Sequence, residues 1–143
     1  METGFIYAII AAVLWGLLYT IDQKILAHLS PMMLMFINAI ITVAVVFPFV
    51  LFQNTSLNDL FIQTKANWPL ILLSIILGIV SSFLILKSIS LIGASSASII
   101  EIAYPLFVVL FSFIFFKAAP NLYFFAGGAL IFLGSFIIIK FAN

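Results

Sequence analysis

Five stretches of almost unbroken apolar residues constrain this chain more than anything else in it. Each is close to the 20 or so residues an α-helix needs to cross a hydrocarbon core about 30 Å thick. They cover residues 4–20, 32–52, 68–92, 94–116 and 122–141. The runs are too long and too poorly alternating for the strands of a membrane barrel. With only 6% of 143 residues charged and 66% hydrophobic, the chain has too few ionic groups to solvate a water-soluble surface. An all-α, multi-pass integral membrane protein in a single five-helix domain is expected, with the lipid bilayer as its first partner.

The same composition excludes several functions. A net charge of +1 without a basic cluster offers nothing to a nucleic-acid backbone. With no Cys and with His28 as the single His, neither a thiolate site nor a His-rich metal site can be built, and no cofactor or metal is expected. There is no Ser/His/Asp set and no paired carboxylate, so no catalytic residues are assigned and the chain is not expected to be an enzyme. No Lys or Arg precedes the first apolar run, which is therefore expected to be a retained helix.

The breaks predict how the spans turn. Asp22, Gln23 and Lys24 end the first, as residues solvated at the membrane interface, and Ser30-Pro31 caps and opens the second. Residues 53–67 are polar and read as the one loop of real length, carrying a weak glycosylation pattern at Asn54-Thr55-Ser56. Gly93 separates spans three and four, and residues 117–121 separate four and five, as short breaks suited to antiparallel hairpins. Five spans put the termini on opposite sides. Lys65 and Lys117 then fall on one side and Lys24, Lys87 and Lys140 on the other. That is almost no positive-inside bias, so orientation is weakly specified. Either another factor decides it, or the chain inserts both ways and pairs antiparallel.

Within the spans, small residues mark faces where helices can approach closely: Ala8, Ala12, Gly16 and Thr20 in the first, Ser74, Gly78 and Ser82 in the third, Gly127 and Gly134 in the fifth. Glu101 is the most informative residue. A carboxylate on a membrane helix costs at least about 2.5 kcal/mol, so it should face a cavity or a partner. Ala97, Glu101, Pro105 and Ser112 share a face, with Tyr104 beside it. Pro105 lies well inside span four and is the candidate hinge. Lys87, six residues before Gly93, would sit at a depth similar to Glu101, eight after it, and either pairs with it or snorkels to the interface. Trp15 and Tyr19 fit an aromatic belt or bundle packing. An intramembrane acid is also the group a proton-coupled carrier needs.

Taken in order, these motifs resemble a known family. Leu14-Trp15-Gly16, Lys24 and Ser30-Pro31 resemble the opening of the EamA repeat of drug/metabolite transporters. Residues 87–97 followed by Tyr104-Pro105-Leu106-Phe107 look like its third-to-fourth helix hairpin, and Gly127-Gly128 through Gly134 is similar to its last helix. Asn38 stands where the family often has Arg, and Lys117-Ala118 where it usually has Glu. The resemblance implies one repeat of a two-repeat architecture, completed by an antiparallel homodimer or a sister-subunit heterodimer. It further implies a secondary transporter of small-molecule metabolites working by alternating access in a prokaryotic cytoplasmic (inner) membrane. Spans one, three and four would line the pathway, with Glu101 as the ionisable group and Lys87, Tyr104, Trp15 and Tyr19 as lining residues. A flippase subunit for a lipid-linked sugar and a non-transporting scaffold are the alternatives.

Overall fold

Where hydrocarbon denies the backbone any water, each N–H and C=O must bond within its own segment. The computed structural model of the chain follows that rule. It describes residues 2–52, 57–117 and 121–141, and among these the elements are five helices and no strand. They are α1 (Glu2–Leu26), α2 (Pro31–Phe52), α3 (Leu57–Glu101), α4 (Tyr104–Phe116) and α5 (Leu122–Phe141). By length and composition α1, α2 and α3 can each cross a membrane, and α4 and α5 are shorter apolar helices.

The helix ends have local causes. Ser30 accepts a hydrogen bond at its Oγ from the Met33 N–H (3.3 Å), and Pro31 takes the first helical position, where its missing N–H costs nothing. Lys117 closes α4 in the left-handed conformation (φ 55°, ψ 23°), its N–H donating to the Phe113 carbonyl. Asn121 opens α5 by accepting at Oδ1 from the Tyr123 N–H (3.3 Å). At the far end of α5 the Lys140 ammonium lies 5.5 Å from the Phe141 ring centre.

Three expectations are corrected. The polar stretch 53–67 is not a long loop: α3 begins at Leu57 and includes Pro69. Hydropathy reports where a helix can meet lipid, and a helix can continue beyond that limit on polar residues. The pattern at Asn54-Thr55-Ser56 lies outside the described residues, as do residues 118–120 of the expected break between spans four and five. Span four is also not continuous. Its residues are divided between the end of α3 and all of α4, with a turn at Ile102-Ala103. Third, several small-residue stripes are open: a Cβ placed on Gly16, Gly78, Gly127 or Gly134 would meet no atom within 4 Å.

The fold divides into two compact units. One holds the chain up to Gln23 together with Ser88 onward, and the other holds Lys24–Lys87. In the second, Leu34 of α2 and Leu86 of α3 are the buried apolar residues. In the first, Ile89, Ala94 and Ala97 are buried, joined by the polar Asp22 and Ser135. Small residues at 94 and 97 let neighbouring atoms come close to this short helical segment. Gly128 of α5 does the same for α4, since a Cβ there would overlap the Leu106 side chain. Large apolar side chains such as Phe36, Val43, Phe107 and Phe132 stay exposed, as lipid-facing surface requires.

Candidate functional site

The candidate residues Trp15, Tyr19, Glu101, Tyr104 and Pro105 all belong to the first unit. The site begins with a corner. Gly93 adopts φ 81°, ψ 160°, a conformation open essentially to glycine alone, and the helical path of α3 is interrupted there. Residues after such a corner restart a helix with unsatisfied N–H groups. Gln23, near the end of α1, supplies the acceptor: the Ala94 N–H donates to its Oε1 at 2.6 Å. A side chain of α1 thus caps the segment that carries Glu101.

That segment is short. The Ile102 N–H still makes the helical bond to the Ser98 carbonyl (2.9 Å), but the Ala103 N–H turns back to the Ile100 carbonyl (3.3 Å) instead of Ile99. The Ile99 carbonyl is taken by the Ser135 hydroxyl of α5, which donates to it at 3.1 Å. Two residues on, Pro105 has no N–H to offer the Glu101 carbonyl, its partner in a continuous helix. Pro105 therefore stands in the first turn of α4, just past the break, and not at a bend inside a continuous span. The expected hinge lies at Ile102-Ala103 because the lost bond belongs to the residues before the proline.

Glu101 sits at the last residue before this break and is half-buried. The Tyr19 hydroxyl donates to its Oε2 at 2.7 Å. Trp15, one turn earlier in α1, meets Tyr19 edge-on with ring centres 5.6 Å apart. Tyr104 is exposed at the start of α4, three residues after Glu101. The structure thus brings Trp15, Tyr19, Glu101 and Tyr104 into one neighbourhood, next to the break that Pro105 follows. Lys87 is exposed on α3 and belongs to the second unit.

Asp22 overturns one expectation. It is not solvated at an interface: only 4% of its surface is exposed. It follows Tyr19 by three residues, about one helical turn further along α1. A polar residue after an apolar run reads as a span terminus, and nothing in one sequence separates a terminus that is wet from one that is packed. Gln23 was hidden in the same way. Its neighbour Gly93 is the only signal, since a glycine corner leaves helix donors in need of a cap.

An apolar cleft of about 330 Å³ runs between α4 and α5, with Leu106, Phe113, Tyr123, Gly128 and Ile131 among its walls. Glu101, Tyr19 and Asp22 are not part of its lining, so the polar site and the cleft are separate features. Among the described residues no group of three or more His, Cys, Asp or Glu could hold a metal ion.

The EamA-like transporter family matches the chain over residues 2–140. No curated protein and no solved structure matches it.

Proposed function

The chain belongs to the EamA-like transporter family, and from that premise we propose that it is a secondary transporter of small metabolites whose pathway is built around Glu101. The observation that carries this reading is the 2.7 Å hydrogen bond from Tyr19 to Glu101 beside the Ile102-Ala103 break. Irregular backbone at membrane depth is tolerated where protein buries it or where it lines a water-filled cavity. An ionisable group within a span belongs to the same setting. Broken helices at such depth are the usual carriers of substrate and coupling-ion sites in secondary transporters.

In this mechanism Glu101 exchanges a proton or a cation as the site turns from one face of the membrane to the other. Tyr19 holds its carboxylate in one state and releases it in the other. Trp15 and Tyr104 line the approach, and the break before Pro105 absorbs the change in direction. The working assembly is a pair of five-helix repeats, an antiparallel homodimer or a heterodimer with a sister chain, in a prokaryotic inner membrane. Two observations support pairing: the near-even lysine distribution leaves both orientations accessible, and the faces at Gly16 and Gly134 are open enough for close helix approach.

Flux of a panel of labelled amino acids, amines and organic acids into proteoliposomes tests the reading. At least one compound is expected to accumulate against its gradient when a pH gradient is imposed, and Glu101→Gln should abolish the response. Flux indifferent to the pH gradient would remove proton coupling, and wild-type flux in Glu101→Gln would remove Glu101 from the pathway. Reporters at the two termini test the assembly. Equal populations of both orientations support the antiparallel homodimer, and a single orientation excludes it.

A further inference from the structure

The cleft between α4 and α5 is left unused by the transport reading, and both helices belong to the first unit. Its walls run from Pro105 to Phe113 along α4, about 12 Å at 1.5 Å per residue. Polarity changes along that length. Of the described side chains lining it, only Tyr123 carries a polar atom. Tyr123 stands in the first turn of α5, where its N–H donates to Asn121 Oδ1. Phe113 flanks the same end, and its carbonyl accepts the N–H of Lys117, the exposed residue that closes α4. The opposite end is wholly apolar, and there Leu106 packs so closely on Gly128 that a Cβ would overlap it. The cleft thus has a polar mouth within a turn of a lysine, and a narrowed apolar depth.

We propose that this cleft is a binding site for one acyl chain of an anionic phospholipid of the surrounding bilayer, with the lipid phosphate on the Lys117 ammonium. Size and polarity select this occupant. Water does not fill an apolar cleft, and a ligand with several polar groups would leave them unpaired there. The body of a helix from a second copy is too large. One helical turn, 10 Å across and 5.4 Å high, encloses about 420 Å³. The whole cleft holds about 330 Å³. A single hydrocarbon chain meets neither limit. The hydrocarbon of one leaflet is about 15 Å deep, so a chain entering beside Tyr123 can follow the cleft for most of that depth. Its headgroup then stands near Lys117, four residues beyond Phe113, where a lysine extends its ammonium to the membrane interface and meets phosphate as a point charge. The lipid is a resident one outside the Glu101 site, so the proposal stands whether or not the chain carries a metabolite.

Photolabelling of the full chain in phosphatidylcholine vesicles tests it, with phosphatidylglycerol bearing a diazirine on one acyl chain as the probe. Label is expected to concentrate on residues 105–113 and 123–131, above that on Phe36 and Val43 of α2, which report random collision with bulk lipid. Unlabelled phosphatidylglycerol in excess should displace the cleft label and spare the α2 label. Gly127 lines the cleft with open space where a Cβ would go, so Gly127→Leu should fill it and bring the cleft label down to the α2 level. Lys117→Gln should reduce the preference for phosphatidylglycerol over phosphatidylcholine about fivefold, the share of one lysine near a membrane surface. Lys140→Gln, at the far end of α5, should leave it unchanged. Cleft label no higher than on α2, or undisplaced by unlabelled phosphatidylglycerol, overturns the proposal. Disulfide trapping of two copies through Val109→Cys, with the cleft unlabelled, assigns it to a second copy and overturns it too. Wild-type preference in Lys117→Gln overturns the headgroup contact. Should Gly127→Leu fail to fold, displacement from the wild-type chain decides the point.

Discussion

Replacing Gly93 with alanine separates backbone strain from side-chain crowding at the corner that aims Glu101. Glycine there has φ 81° and ψ 160°, and holding an L-residue in that region costs about 1–3 kcal/mol. Crowding contributes little, because an added Cβ would lie 3.4 Å from the Gln23 Oε1, an ordinary contact. Gly78, in the same helix, is the internal control. Its Cβ would meet nothing within 4 Å and its backbone is helical, so Gly78→Ala should stabilise by about 0.4–1 kcal/mol. The two substitutions are chemically identical and should have opposite signs, separated by roughly 2 kcal/mol or more. Reversible unfolding in mixed micelles with increasing dodecyl sulfate, followed by tryptophan fluorescence, measures both. The Gly93→Ala cost should persist within about 0.5 kcal/mol when Gln23 is also replaced by alanine, since strain in the backbone does not depend on that contact. Equal stability of Gly93→Ala and Gly78→Ala would refute the corner as described.

Adjacent glycines of α5 should behave just as differently. Gly128→Ala forces the Leu106 side chain aside and should cost about 1–3 kcal/mol, while Gly127→Ala, with open space around it, should be neutral or slightly stabilising in the same unfolding assay. Ser135→Ala leaves the Ile99 carbonyl without its donor and should cost about 0.6–1.7 kcal/mol, the range of interhelical bonds in membranes. Pro105→Ala restores an N–H to the Glu101 carbonyl. Slower amide exchange across residues 102–105 is the expected result, and an unchanged exchange pattern would show that the break has another cause.

How much of this was readable beforehand depends on which physical quantity each residue reports. Ser30-Pro31 and Gly93 act through their own backbones, so their effects are legible locally: one starts α2 and the other interrupts α3. Pro105 was legible as a disturbance but misplaced by two or three residues, because the bond it removes belongs to a carbonyl four positions earlier. The polar run before Trp68 was misread for a different reason: its side chains announce contact with water and say nothing about whether the backbone is helical. Glu101 drew attention because charge inside an apolar run is expensive wherever it goes. Asp22 and Gln23 drew none, since the end of a span is where polar residues are ordinarily solvated.

Membership of the membrane, helical structure and the breaks at Ser30-Pro31 and Gly93 were determined by the order of residues alone, because the bilayer penalises every unbonded backbone group and nearly every charge. Which side chains meet was decided only by the tertiary structure. Tyr19 and Glu101 are 82 residues apart, Gln23 and Ala94 are 71 apart, and Ser135 and Ile99 are 36 apart. No periodicity within one helix encodes such pairings. They arise because helices with nearly uniform apolar surfaces pack where small residues, a glycine corner and a few polar partners allow it, and there an apparently terminal Asp22 becomes buried.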